Sequence, residues 1–160
     1  MADDDAARLE RLAGINRRFE QGVPHNRALG LVLTDIADAR AEMRLPYSER
    51  LLGNPDTRVL HGGAISALMD AACGTAVFMA LPRPMAIATL DLRTDYLKPA
   101  APDRDVVCRA HCYKVTRSVA FVRAVAFHDD EADPLAASTG SFMLGTRSTA
   151  RRAAGDKEDE

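Results

Sequence analysis

The 160-residue chain has almost no excess of either charge: 21 Lys and Arg stand against 23 Asp and Glu, a formal net of −2. That balance excludes global recruitment to nucleic acid or to an anionic membrane, so any anion binding must be local. No DNA-reading helix pair is visible, and no Gly-rich phosphate loop. Cysteines number three, too few for a disulfide framework, and no secretory pattern opens the sequence; the expected compartment is a reducing cytoplasm. Cys108 and Cys112 bracket His111, but residues 105–116 alternate and are rich in Val. On a strand the two thiols share one face and the imidazole takes the other. Packed thiols are therefore expected, with no metal and no cofactor, because a zinc site needs ligands that the chain does not cluster.

Long apolar runs are also scarce, with one exception that organises the rest. Residues 60–81 read LHGGAISALMDAACGTAVFMAL and are closed by Pro82. Two glycines open the run, so the spacing predicts a helix of about five turns starting near Gly62. Its apolar residues cover nearly the whole circumference, as in a helix wrapped by other elements. A narrow stripe escapes: Gly63, Ser66, Asp70 and Gly74 recur at three- and four-residue steps and share one small, polar face. The run is long enough to cross a membrane, yet an acid at its midpoint is costly in hydrocarbon. A core helix is expected, and no membrane partner. No Lys or Arg lies in the helix to pair with Asp70, and an unpaired acid near free helix-end amides points to a site.

Around this helix the chain falls into three parts. Residues 1–22 hold a weakly amphipathic helix marked by Leu9, Leu12, Asn16 and Phe19, with acids at its start to suit the helix dipole. Residues 23–146 form the main domain. Within it PHNRALG (24–30) reads as a loop, strands follow near 31–37 and 41–47, and SERLLGNPDTRV (48–59) reads as a loop into the central helix. Beyond the prolines, strict alternation over 86–97 puts Leu90, Leu92 and Tyr96 on one face and Thr89, Asp91, Arg93 and Asp95 on the other. Three more strands follow, joined by turns too short for parallel crossovers, so an antiparallel sheet must curl around the helix. Several strands read as apolar on both faces, and a second subunit is the simplest cover for the outer one. The charged tail, 147–160, has no periodicity and reads as disordered.

The segments GNPDTRVLHGGAISALMDAACG (53–74), TLDLRTDYLKPA (89–100) and TRSVAFV (116–122) resemble the hotdog-fold acyl-CoA thioesterases of the phenylacetate-degradation (PaaI) type. The resemblance covers about residues 29–144 and implies an α+β hotdog fold, with a curved antiparallel sheet of five to six strands around a long central helix. It implies hydrolysis of an acyl- or aryl-acyl-CoA thioester, with Asp70 as base or nucleophile. The Gly62 N–H would polarise the carbonyl, Thr89 would help hold the attacking water, and Asn54 would reach the carbonyl. Such sites form across a dimer, with Asn54 and the HGG turn of one chain facing Asp70 of the other. A homo-oligomer is expected, most simply a dimer of dimers. First-turn amides lack intrahelical partners and suit a developing oxyanion, and those near Gly62 are expected close enough to Asp70 to bind the carbonyl it helps attack. His61 is a further candidate base, Gly63 and Ser66 are candidate substrate contacts, and Arg93, Lys98 and Arg117 are candidate cations for coenzyme A phosphates.

Two other readings compete. A hotdog enoyl-CoA hydratase uses an Asp and a His five residues apart, the spacing of Asp56 and His61, although Asn54 and Pro55 precede rather than follow that Asp. A non-catalytic acyl-CoA-binding protein would dispense with its acid, whereas Asp70, Gly62 and Thr89 are all present.

Overall fold

The computed structural model describes residues 10, 12–17 and 22–145. Residues 12–17 are helical (α1), followed by helix α2 (Pro24–Leu29) and strands β1 (Val32–Ala37) and β2 (Arg40–Leu45). A 3-10 turn (Glu49–Leu51) leads into a short hairpin, β3 (Leu52–Asn54) and β4 (Val59–Leu60). The long helix α3 (Gly62–Ala80) comes next, then β5 (Ile87–Tyr96), β6 (Val106–Val115), β7 (Val119–Phe127) and β8 (Ala136–Leu144). Six strands form one sheet in the order β1-β2-β6-β7-β8-β5, every neighbouring pair antiparallel. This is the expected hotdog arrangement: α3 lies on the sheet, chiefly against β2, β6 and β7.

Local chemistry explains both the agreements and the departures. α3 starts where His61 caps it and stops one residue short of the Leu81-Pro82 pair, since proline restricts the residue before it. It is the helix long and apolar enough to span a membrane among the described residues, but nine of its residues, including Leu68, Met69, Cys73 and Val77, are buried inside the protein. The expected loop 24–30 is instead the one-and-a-half-turn helix α2. Pro24 sits in its first turn, where no N–H is needed, and Gly30 ends it in the left-handed region at φ 70°. Asn26 within it is buried. The expected loop 48–59 folds into the 3-10 turn and hairpin, with the Asn54 carboxamide closing its tip.

Inside the sheet, Met43, Leu45, Val106, Cys108, Val122 and Ala124 meet the helix in a continuous core. Cys108, Ala110 and Cys112 are buried there as free thiols and a methyl, and His111 takes the opposite face, as alternation requires. The outer face is mixed rather than apolar. Arg40, Glu42, Arg109, His111, Arg123 and Thr139 stand on it beside Phe121 and Val125, because the small and branched residues of β6 and β7 are spent on the inner face. Leu12 is buried and Asn16 bonds both the N–H and C=O of Leu33 at 2.9 Å, so α1 is pinned to β1, an edge of the sheet. Leu9, Phe19 and the tail 147–160 lie outside the described residues.

Candidate active site

Asp70 projects from the third turn of α3, half-buried, and the Thr89 hydroxyl donates to its Oδ1 at 2.9 Å. This contact contradicts strict alternation along β5, which puts Thr89 with the outward residues. The register explains it. Thr89 pairs with Phe142 and Asp91 with the adjacent Ser141, so Leu90 is an extra residue, a β-bulge. The bulge resets the pleat: Thr89 turns inward with Leu92, Thr94 and Tyr96, while Asp91, Arg93 and Asp95 stay exposed. With Oδ1 held, Oδ2 of Asp70 has no hydrogen-bond partner among the described residues. One turn on, burial first and then the Asp70 charge push the Cys73 thiol up to about 12, which keeps it protonated and rules it out as a nucleophile.

The first turn of α3 is the second half of the site. The His61 Nδ1 accepts from the Gly63 N–H at 2.9 Å, and the His61 carbonyl accepts from Ala64 N–H at 3.0 Å. That leaves the Gly62 N–H as the first-turn donor without a partner among the described residues. His61 thus acts as a cap, and its Nδ1 is an acceptor already in use. Tyr96, which sequence reasoning placed among apolar residues, proves to be part of the site. Its hydroxyl donates to the Gly62 carbonyl at 2.7 Å and meets the Ser66 hydroxyl at 2.5 Å. The ring lies so near Gly62 that a Cβ there would sit 3.1 Å from it; glycine permits that approach. The signal for Tyr96 was its place at the end of β5, but only the bulge reveals which way it faces.

The remaining candidates scatter. The Asn54 Oδ1 accepts from the amides of Asp56 (2.8 Å) and Thr57 (3.3 Å), so its oxygen holds the hairpin tip, and none of its bonds reach Asp70. Arg58, at φ 57°, is tied to Asp103 and Glu49 and lies over the Tyr47 ring. Arg93 pairs with Asp95 and Lys98 with Asp133, while Arg117 is exposed and makes no ion pair among the described residues. One expectation fails on helix geometry. Eight residues separate Gly62 from Asp70, about 12 Å along the axis at 1.5 Å per residue. Within one chain these two groups do not reach the same carbonyl.

A sheet wrapped on one long helix, a carboxylate steadied by a strand hydroxyl and a free amide at the helix start define a hotdog protein equipped to activate water against a carbonyl. The family model described as Thioesterase superfamily matches residues 58–134. The chain is 30% identical over 144 residues to the medium/long-chain acyl-CoA thioesterase YigI of Salmonella typhimurium, covering 82% of this chain and 92% of that one. A crystal structure of a Pseudomonas aeruginosa protein superposes with a TM-score of 0.73 at 44% identity, covering 80% of this chain and 95% of that chain. The Escherichia coli PaaI protein of the phenylacetic acid degradation operon gives a TM-score of 0.72 at 16% identity over 85% of this chain and 95% of its own, a likeness of fold alone. The chain belongs to the thioesterase superfamily and is a thioester hydrolase.

Proposed function

We propose that the protein is an acyl-CoA thioesterase of the PaaI type, working in the cytoplasm as a homo-oligomer with sites shared between protomers. The observation that carries the reading is the 2.9 Å Thr89–Asp70 hydrogen bond, which fixes one carboxylate oxygen and frees the other for a water. In the proposed reaction Oδ2 takes a proton from that water as its oxygen bonds to the thioester carbon. The carbonyl oxygen gains negative charge beside the Gly62 N–H of a second protomer. The C–S bond then breaks, and coenzyme A leaves as a thiol after regaining the proton. The 12 Å separation along one helix supports a shared site, since two antiparallel helices related by a two-fold axis bring Gly62 of one beside Asp70 of the other. The free edge of β5, where Leu90 in the bulge is 51% exposed and Leu97 just beyond the strand is 56% exposed, supports pairing of two copies.

The name of YigI supports medium and long acyl chains; aryl-acetyl esters remain in the tested set because of the PaaI likeness. Thiol release across a panel of acyl-CoA esters tests the reading, with turnover expected for at least one and none in Asp70→Asn. Binding across the panel without thiol release overturns it in favour of a binding protein. The hydratase reading loses support because the His61 Nδ1 is committed to Gly63 and Asp56 is exposed at the hairpin tip, with no hydrogen bond to His61 among the described residues. With crotonyl-CoA, any loss of enoyl absorbance is expected to be matched by free thiol; loss of absorbance without thiol release restores the hydratase reading.

A further inference from the structure

The outer face of the sheet holds a second feature, separate from Asp70. Arg40 pairs in register with His111, His111 with Arg123, and Arg123 with Thr139, so these four form one row across β2, β6, β7 and β8. Directly opposed residues share a face with their Cβ atoms about 5 Å apart. Two guanidiniums therefore flank one imidazole. All four line a groove of about 730 Å³, within the range of about 300–1,000 Å³ typical of small-molecule sites.

The charges in this groove do not cancel pairwise. Glu42 and Glu131 are both bound to Arg109, at 2.7 and 2.8 Å, and Asp35 accepts from the Ile36 amide at 2.7 Å. Arg40 and Arg123 make no ion pair among the described residues. The His111 Nδ1 is buried without a hydrogen-bond partner. Burial first, then Arg40 and Arg123, hold the imidazole below its usual range, so it stays neutral beside them. Arg40 and Arg123 stand one strand to either side of His111, about 10 Å apart at Cβ, and the acids of the groove that form ion pairs, Glu42 and Glu131, are both on Arg109.

We propose that this groove binds a phosphate-bearing small molecule, its phosphate seated over His111 between the Arg40 and Arg123 guanidiniums with the Thr139 hydroxyl at the end of the row. Planar forks from two sides match a tetrahedral oxyanion, which accepts from several directions at once. A dianion suits two cations better than a carboxylate does. The groove is larger than a bare phosphate and leaves room for an organic portion of nucleotide size.

Isothermal titration of the full chain with inorganic pyrophosphate and with ADP tests this, alongside NMR of the His111 ring. Wild type is expected to bind both. The double variant Arg40→Gln/Arg123→Gln should bind at least 10-fold more weakly while its kcat for thioester hydrolysis is unchanged, with KM raised only if the groove holds the carrier's phosphates, and Arg123→Lys should recover affinity only in part, having charge without the fork. The His111 ring signals should move on adding ADP. Displacement of ADP by coenzyme A assigns the groove to the carrier's phosphates, and retention of ADP assigns it to a separate ligand. Equal affinity in the double variant, or a silent His111, overturns the proposal. So do His111 signals that move with protein concentration instead, which give the face to a second copy.

Discussion

Asp70→Asn removes a charge and a base without changing the side-chain outline, so the helix around it should hold. We expect kcat to fall by about 10²- to 10⁴-fold, the span of a general base, with the thermal midpoint level or raised. A single turnover in ¹⁸O water leaves label in the Asp70 side chain only if the acid itself attacks. Thr89→Val keeps the strand and deletes the bond to Oδ1, which should cost about 1 to 2 kcal/mol in kcat/KM; an unchanged value shows that the hydroxyl does not steer the acid. Asp70, Gly62 and Thr89 were legible as residues because an acid in an apolar helix and a glycine at its start have few other uses. Tyr96 was not, since a tyrosine at a strand end reads as an apolar body and its partner, the Gly62 carbonyl, lies 34 residues away in sequence.

Among the elements, the bulge in β5 decides the most. Gly140 of β8 sits against it: a Cβ there would lie 2.5 Å from the Asp91 carbonyl oxygen and 2.9 Å from Leu92 Cδ1. Gly140→Ala should therefore shift β5, lowering stability by about 1 to 3 kcal/mol and turning Thr89 from Asp70. Denaturant midpoints and kcat are expected to drop together. Asp105 joins β2 to β6 by accepting from the Tyr47 amide at 2.8 Å and from Arg44 at 2.6 Å. The Tyr47 amide first, then Arg44, hold its carboxyl below the usual carboxylate range against an opposing effect of burial. Its contribution is thus full above the unfolded value of about 3.9 and fades as pH falls through the lower folded value. Asp105→Asn should cost at most about 1 kcal/mol at pH 7, given its exposure, and the gap to wild type should close below pH 4 in thermal melts. Period-two patterning made the six strands legible, and proline and glycine bounded α3. The bulge was hidden because an extra residue leaves composition unchanged and appears only in the pairing with β8. Helix α2 was hidden because six residues offer too little periodicity to tell a short helix from a turn.

At the scale of the whole molecule, the 12 Å between Gly62 and Asp70 makes a specific demand on assembly. Gly62→Pro, which deletes the N–H at a first-turn position that tolerates proline, and Asp70→Asn chains, each expected to be inactive alone, should restore turnover when co-expressed, because a mixed dimer keeps one site with both groups intact. Random pairing predicts about a quarter of the wild-type rate. No recovery, or an active monomer in sedimentation, removes the shared site. Sequence patterning points to an oligomer through an apolar outer face; that face is mixed, and helix length and the open edge of β5 support the proposed oligomer instead. The cysteines bear on how such work is done. Cys73, Cys108 and Cys112 are 0, 0 and 4% exposed, and burial raises all three thiols. Colour reagents for free thiol react through the thiolate, so the folded enzyme contributes almost no background to an assay that counts coenzyme A. A slow rise in signal without substrate is then a clock for unfolding, three equivalents per chain when it has run to completion.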